Sequence, residues 1–140
     1  MNKTLGFCRV GAAIPTVWPG AVSDNVASLA DLAKRAAEAA TDVLVFPELC
    51  VTGYTCADLF YQPALLSAAR EGLTRFLRKT WQLDTLFLLG MPVEHGGTLF
   101  NCAVACRQGN VLGIVPKSYL PDTHEFYEKR WFSPAAFSRD

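Results

Sequence analysis

Several features that would assign this protein to a class are missing from its sequence. It carries no excess of charge, since 13 basic residues balance 13 acidic ones, and so nothing predicts binding to nucleic acid or to an anionic membrane. The start, MNKTLGFCRV, lacks the apolar core of a signal peptide. The apolar runs are too short to cross a bilayer. We therefore expect a cytoplasmic protein with neither a nucleic-acid nor a membrane partner.

The usual patterns of metal, disulfide and phosphate sites are also missing. The five cysteines form no C-x-x-C pair, and the only histidines, His95 and His124, are far apart in the sequence. We therefore expect free thiols in a reducing compartment and no metal site. Neither G-x-x-x-x-G-K-[ST] nor G-x-G-x-x-G occurs, and there is no G-x-S-x-G elbow. These absences exclude the common phosphate-binding loops and the serine-hydrolase elbow.

What the sequence does contain is the composition and periodicity of an α/β domain. With 140 residues, of which 51% are hydrophobic and 19% charged, the chain is long enough for one core. The order β-α-β-α-β-β-β, in which helical crossovers come first and a hairpin follows, predicts a layered fold with a mixed sheet. The predicted elements are a strand over 3–13, a helix over 25–40 capped by Ser23 or Asp24, a strand over 43–47, a helix after Pro63, a strand over 85–93, and a hairpin that turns at 108–110.

Two charged residues follow apolar runs where predicted strands end. Glu48 comes after VLVFP, and Lys117 comes after VLGIVP. A single charge at a strand end is usually a solvated surface residue. However, a carboxylate enclosed by apolar neighbours is costly unless it is paired, and the carboxyl ends of strands in open α/β sheets gather at one edge. We therefore interpret Glu48 as a candidate general base paired with Lys117.

These residues lie in motifs that resemble a known family. FPELCVTGY (46–54) and VPKSYLP (115–121) are similar to the Glu and Lys motifs of the nitrilase superfamily. With DLF, GMPV, LFNCAVACRQGN and EFYEKRWF, the match extends over essentially the whole chain. It is strongest to the N-terminal glutaminase domains of the glutamine-dependent NAD+ synthetases. The resemblance implies an α/β fold, the nitrilase-like α-β-β-α sandwich, of which this chain would form the N-terminal part.

The resemblance also implies the chemistry. In a Glu-Lys-Cys triad, Glu48 would take the thiol proton and Lys117 would stabilise the oxyanion. Glu125 lies at the family's offset for an auxiliary glutamate, and Glu128 is the second choice. From their composition alone, both belong to a solvated helical turn in which Lys129 or Arg130 balances Glu128.

Three aromatic residues are implied as the lining of a glutamine pocket. They are Tyr54, after the Glu motif, and Phe126 and Tyr127, after the Lys motif. Ordinary core packing would explain Tyr54 equally well.

The family's nucleophilic cysteine, which follows the lysine, has no counterpart in this sequence. The five cysteines all precede Lys117. Cys50 shares a strand face with Glu48 if the strand continues that far, which leaves it as an alternative nucleophile. We expect instead a carbon-nitrogen hydrolase domain over residues 1–140 that is truncated before its nucleophile, lacks the synthetase domain and is inactive by itself.

The resemblance further implies glutamine as the substrate and the rest of the synthetase chain as a partner, within a homo-oligomer. It implies no cofactor or metal in this chain, because ATP, magnesium and deamido-NAD+ would bind the absent synthetase domain. Two alternatives remain open. The chain could be part of another nitrilase-superfamily amidase or carbamoylase, or it could be a non-catalytic interaction module that associates through an apolar sheet face.

Overall fold

A computed structural model describes residues 6–135 of the chain as one sheet with two helices and two short 3-10 segments. The strands and helices follow the predicted order. They are β1 (Val10–Ala12), α1 (Val22–Glu38), β2 (Val43–Val45), α2 (Pro63–Thr80), β3 (Leu86–His95), β4 (Thr98–Arg107) and β5 (Asn110–Pro116), with the 3-10 segments at Tyr54–Tyr61 and Glu128–Arg130.

The sheet is mixed, as the element order predicts. Its strands lie in the order β1-β2-β3-β4-β5. The first three strands are parallel and are connected through α1 and α2, whereas β3, β4 and β5 form an antiparallel meander. The turn between β4 and β5 falls at Gln108 and Gly109, whose φ angles of 49° and 76° are both positive, as in the two-residue turns that match the twist of a hairpin.

The core forms between the helices and one face of the sheet. Phe76 of α2 packs edge-on against Phe46 and Phe87, with ring centroids 6.3 Å and 5.4 Å away. Such aromatic pairs contribute about 0.5–1.5 kcal/mol beyond the area that they bury. The apolar stripe of α1 completes this layer with Val22, Val26, Leu29, Ala30 and Ala33, all buried.

The opposite face of the sheet is apolar and exposed in the described part of the chain. In-register pairing and strand alternation place the exposed Val10, Val45 and Val115 on this face. Their exposed fractions are 71%, 42% and 64%. The chain thus shows one helix layer on one sheet, which is half of the expected four-layer sandwich. Neither helix in the described range is long and apolar enough to cross a membrane.

Some boundaries differ from the prediction, for local reasons. α1 begins at Val22 after Ala21, and neither Ser23 nor Asp24 caps it, because the chain enters the helix from a turn in which Val22 N–H donates to Gly20 O. β1 covers only part of the predicted strand, whose residues 3–5 lie outside the described range. The segment Tyr54–Tyr61 forms a 3-10 structure that the sequence did not predict, since its period is neither that of an α-helix nor that of a strand.

Candidate active site

The turn after β2 sets the position of Glu48. Leu49 has a φ of 51°, so the chain turns sharply there instead of continuing as a strand. Gly90 of β3 permits this turn to lie directly on the sheet, because a Cβ at that residue would come within 2.3 Å of Leu49 N and 2.5 Å of Glu48 Cα. Val51 N–H donates to Gly90 O at 3.2 Å and closes the turn. Backbone contact with β3 therefore determines where Glu48 lies.

Lys117 reaches the same point from the end of β5. Its backbone N–H donates to Asn101 O of β4 at 2.8 Å, which extends the β4–β5 pairing by one residue. Its Nζ donates to Glu48 Oε2 at 2.8 Å and to Glu128 Oε1 at 2.8 Å. The two strand-end charges that the sequence singled out are therefore in direct contact.

Glu128, and not Glu125, is the second carboxylate at Lys117. The Glu128 side chain is only 1% exposed, and it accepts hydrogen bonds from Lys117 and from the Tyr54 hydroxyl at 2.9 Å. Glu125 is exposed and makes no hydrogen bond within the described residues. The expectation that Glu125 occupies the auxiliary position does not fit this geometry, because the chain folds back between Pro121 and Glu128, where Glu128 N–H donates to Pro121 O at 3.3 Å.

The interpretation of Glu128 as part of a solvated turn, balanced by Lys129 or Arg130, is wrong, because Glu128 is buried and both cations pair with other residues. Lys129 pairs with Asp122 at 3.4 Å. Arg130 and the indole N–H of Trp131 both donate to Asp58, at 2.8 Å and 3.0 Å. These bonds hold the pKa of Asp58 well below its usual range, at about 2. They also anchor the 3-10 segment that carries Glu128 to the segment that follows Tyr54.

Of the predicted pocket aromatics, Tyr54 lies beside the charged groups, where its hydroxyl donates to Glu128, and Phe126 packs against Tyr54. Their rings pack edge to face with centroids 6.5 Å apart. Burial, together with the hydrogen bond to Glu128 and its negative charge, raises the pKa of Tyr54. Tyr54 therefore remains a phenol that donates to Glu128. Tyr127 is exposed, and the roles of Tyr54, Phe126 and Tyr127 in lining a glutamine pocket all stay predictions.

The charges of the cluster favour a permanently protonated lysine. Partial burial alone would lower the pKa of Lys117, but its hydrogen bonds to Glu128 and Glu48, and their negative charge, raise it overall. Glu48 is more open than expected, with 48% of its side chain exposed, because it borders the uncovered face of the sheet. It lies in an open cleft of about 320 Å³ together with Gly90, Ala103 and Val115.

Asn101 is a member of the cluster that the sequence did not single out. It is buried in β4, and its Nδ2 donates to Glu48 Oε2 at 3.1 Å and to Glu128 Oε2 at 3.4 Å. The available signal was a lone amide in the otherwise apolar run LFNCAVAC, where a buried polar group needs a partner.

Cys50 does not fit the alternative role of nucleophile. Its thiol is buried and donates to Gly90 O at 3.5 Å. Burial raises the pKa of Cys50 to about 12, and the thiolate is the reactive form. Burial likewise raises the pKa of Cys56, of Cys102 to about 11 and of Cys106 to about 12.

These thiols predict a simple alkylation pattern. At pH 8, well below the raised pKa values, the native chain should gain one iodoacetamide adduct, at the exposed Cys8. Unfolding in guanidinium should expose all five cysteines. Intact-mass spectrometry measures both counts, and Cys8→Ser should reduce the native count to zero. Rapid labelling of Cys50 in the folded chain would contradict its burial and would again make Cys50 a candidate nucleophile.

Comparisons with known proteins agree with this architecture. A family model described as carbon-nitrogen hydrolase matches residues 9–140. The glutamine-dependent NAD(+) synthetase of Mycobacterium tuberculosis is 37% identical over 129 residues, which cover 92% of this chain and 19% of that protein. The chain therefore spans about a fifth of the length of this relative.

Solved structures give the same result. The glutamine-dependent NAD(+) synthetase from Cytophaga hutchinsonii superposes with a TM-score of 0.87 at 31% identity, over 93% of this chain and 22% of that one. A variant of a nitrilase-superfamily amidase from Nesterenkonia AN1 superposes with a TM-score of 0.76 at 25% identity, over 92% of this chain and 48% of that one.

Proposed function

Because the chain belongs to the carbon-nitrogen hydrolase family and has the predicted nitrilase-like fold, we propose that Glu48, Lys117 and Glu128 are the charged groups of a glutaminase site. The observation that carries this proposal is the ammonium group of Lys117, which lies 2.8 Å from a carboxylate oxygen on each side. The site would hydrolyse the side-chain amide of glutamine and supply the ammonia that converts deamido-NAD+ to NAD+.

Glu48 is the general base of this proposal because one of its carboxylate oxygens has no hydrogen-bond partner among the described residues. Oε2 accepts from both Lys117 and Asn101, whereas Oε1 accepts no hydrogen bond from residues 6–135. We assign Oε1 as the atom that takes the proton of a cysteine thiol. Proton transfer by a positioned carboxylate typically contributes about 10²–10⁴-fold to a rate.

Lys117 is positioned to stabilise the oxyanion. An ammonium group has three N–H donors, and Glu48 and Glu128 accept two of them. The third has no acceptor within residues 6–135, and we assign it to the carbonyl oxygen of the amide as that oxygen becomes negative. A fixed donor of this kind is typically worth about 10²–10³-fold in kcat.

The reaction then proceeds through a thioester. The thiolate sulfur attacks the amide carbon, and the tetrahedral intermediate collapses with loss of ammonia, to which Glu48 returns the thiol proton. Water then attacks the thioester, with Glu48 again as the base, and glutamate and the thiol are released. The nucleophile in this scheme is a cysteine from outside these 140 residues, because Cys50, the one cysteine close to Glu48 in the sequence, is buried and its pKa is raised to about 12.

The remaining steps belong to a longer protein in this proposal. In this proposal, ATP, magnesium and deamido-NAD+ bind a synthetase domain that follows, as in a protein of the kind named glutamine-dependent NAD(+) synthetase. We place the full-length chain in the cytoplasm as a homo-oligomer, in which ammonia passes from the glutaminase site to the synthetase site.

Substrate preference in the full-length gene product tests this function. We expect ammonia release from glutamine to exceed that from aliphatic amides and N-carbamoyl amino acids, and we expect glutamine to support the amidation of deamido-NAD+ with ATP. A preference for aliphatic amides or carbamoyl compounds would assign the site to another branch of the superfamily. Stable folding without any amide hydrolysis would favour the interaction module.

A further inference from the structure

Among residues 6–135, Asn101 is the one residue that forms hydrogen bonds with all three charged groups of the site. Its side chain donates to Glu48 and Glu128, and its backbone carbonyl accepts the N–H of Lys117. We propose that Asn101 is a positioning residue of the hydrolase reaction, which holds the two carboxylates around Lys117 and selects the oxygen of Glu48 that acts as the base. This inference rests on the proposed function of the site.

The geometry assigns the orientation of the amide. A primary amide nitrogen carries two protons, and each of the two acceptors that face Nδ2 is a carboxylate oxygen, at 3.1 Å in Glu48 and 3.4 Å in Glu128. The opposite orientation would direct the amide oxygen at both carboxylates and would be repulsive. Both protons of Nδ2 are therefore committed, and the side chain links two residues that are 80 positions apart in the sequence.

The contact with Glu48 has a specific consequence for the chemistry. Lys117 and Asn101 both donate to Oε2, which fixes the carboxylate plane and leaves Oε1 for the thiol proton. Without Asn101, Lys117 would be the only hydrogen-bond partner of the Glu48 carboxylate among the described residues. The side chain of Glu48 is half exposed, and a single hydrogen bond would leave it free to rotate. A misaligned base slows proton transfer more than it weakens substrate binding.

The neutrality of the amide is also required. Glu48 and Glu128 already place two negative charges around the single positive charge of Lys117. An aspartate at residue 101 would have nearly the same shape but would add a third carboxylate, which makes every neighbouring carboxylate harder to ionise. The protein thus uses a donor that orients the carboxylates without changing their net charge.

Two variants of the full-length enzyme test this role. Asn101→Leu removes the donor and should lower kcat for glutamine roughly 10- to 100-fold with little change in KM. Asn101→Asp should lower kcat at pH 7 and move the acidic limb of the kcat/KM profile up by about one pH unit. Asn110→Asp is the matched control and should retain the wild-type profile, because Asn110 is an exposed residue at the start of β5, next to the β4–β5 turn.

The controls separate positioning from folding. Rates are normalised to active sites titrated with a glutamine-analogue affinity label, so that misfolded protein is not counted. A loss of rate that disappears after this normalisation, or a wild-type pH profile in Asn101→Asp, would overturn the inference.

A crystal structure of the Asn101→Leu variant tests the positioning role independently of the proposed substrate. Displacement of Glu48 or Glu128 from Lys117 is the expected result, whichever amide the enzyme hydrolyses. Unmoved carboxylates would refute the positioning role, whereas a wild-type enzyme inactive on glutamine would refute only the proposed substrate.

Discussion

Replacement of Glu48 by glutamine in the full-length enzyme is expected to lower kcat/KM for glutamine hydrolysis by about 10³-fold or more. Glutamine has the same shape and can still accept a hydrogen bond from Lys117 through its amide oxygen, but it cannot take the thiol proton. The folded structure should therefore survive while proton transfer fails. Steady-state ammonia release measures the loss, and the melting temperature checks the fold.

Glu125→Gln is the matched control for this variant. Glu125 is a nearby carboxylate that is exposed and makes no hydrogen bond to Lys117, and so its replacement should leave kcat/KM within about twofold of the wild type. Amidation of deamido-NAD+ with added ammonium should be unchanged in both variants, because that reaction would bypass the proposed glutaminase site. A Glu48→Gln enzyme that retains glutaminase activity would remove Glu48 from the mechanism.

Replacement of Lys117 by methionine is expected to lower kcat by a comparably large factor, about 10²–10³-fold or more. Hydrogen bonds join five side chains in the site, and Lys117 is the only cation among them; the others are Tyr54, Glu48, Asn101 and Glu128. It should also destabilise the protein by about 1–3 kcal/mol, because Glu128 would remain buried without its cation. Assays of ammonia release and urea unfolding measure the two effects separately.

A second substitution distinguishes these two effects. In Lys117→Met with Glu128→Gln, the buried charge is gone, and we expect most of the lost stability to return while activity stays absent. Lys129→Met is the control, since Lys129 pairs with Asp122 at the surface. If the double variant regained both stability and activity, Lys117 would be a structural residue and not an oxyanion donor.

The parts of the fold that could be predicted are those with a strong local period. The stripe of α1, the turn residues between β4 and β5, and the charges at the ends of β2 and β5 all carry their own signal. The contact between Glu48 and Lys117 follows from the rule that strand ends converge at one edge of a sheet.

The parts that could not be predicted depend on contacts between distant segments. The choice of Glu128 over Glu125 depends on how the chain folds back after Pro121, which spacing along the sequence does not reveal. The role of Asn101 depends on the register that places β4 beside the turn after β2. The exposure of Glu48 was mispredicted because Phe46, Leu49 and Val51 are buried in the core, whereas Glu48 borders the open side of the sheet.

The most direct test of the central claim is to follow nitrogen from amide-15N glutamine in the full-length gene product and in residues 1–140 alone. We predict labelled ammonia, and labelled NAD+ when ATP and deamido-NAD+ are present, from the full-length protein, and no labelled ammonia from the shorter chain. Labelled ammonia from residues 1–140 alone, or its absence from the full-length protein, would contradict a glutaminase site that Glu48 and Lys117 form with a cysteine outside this segment.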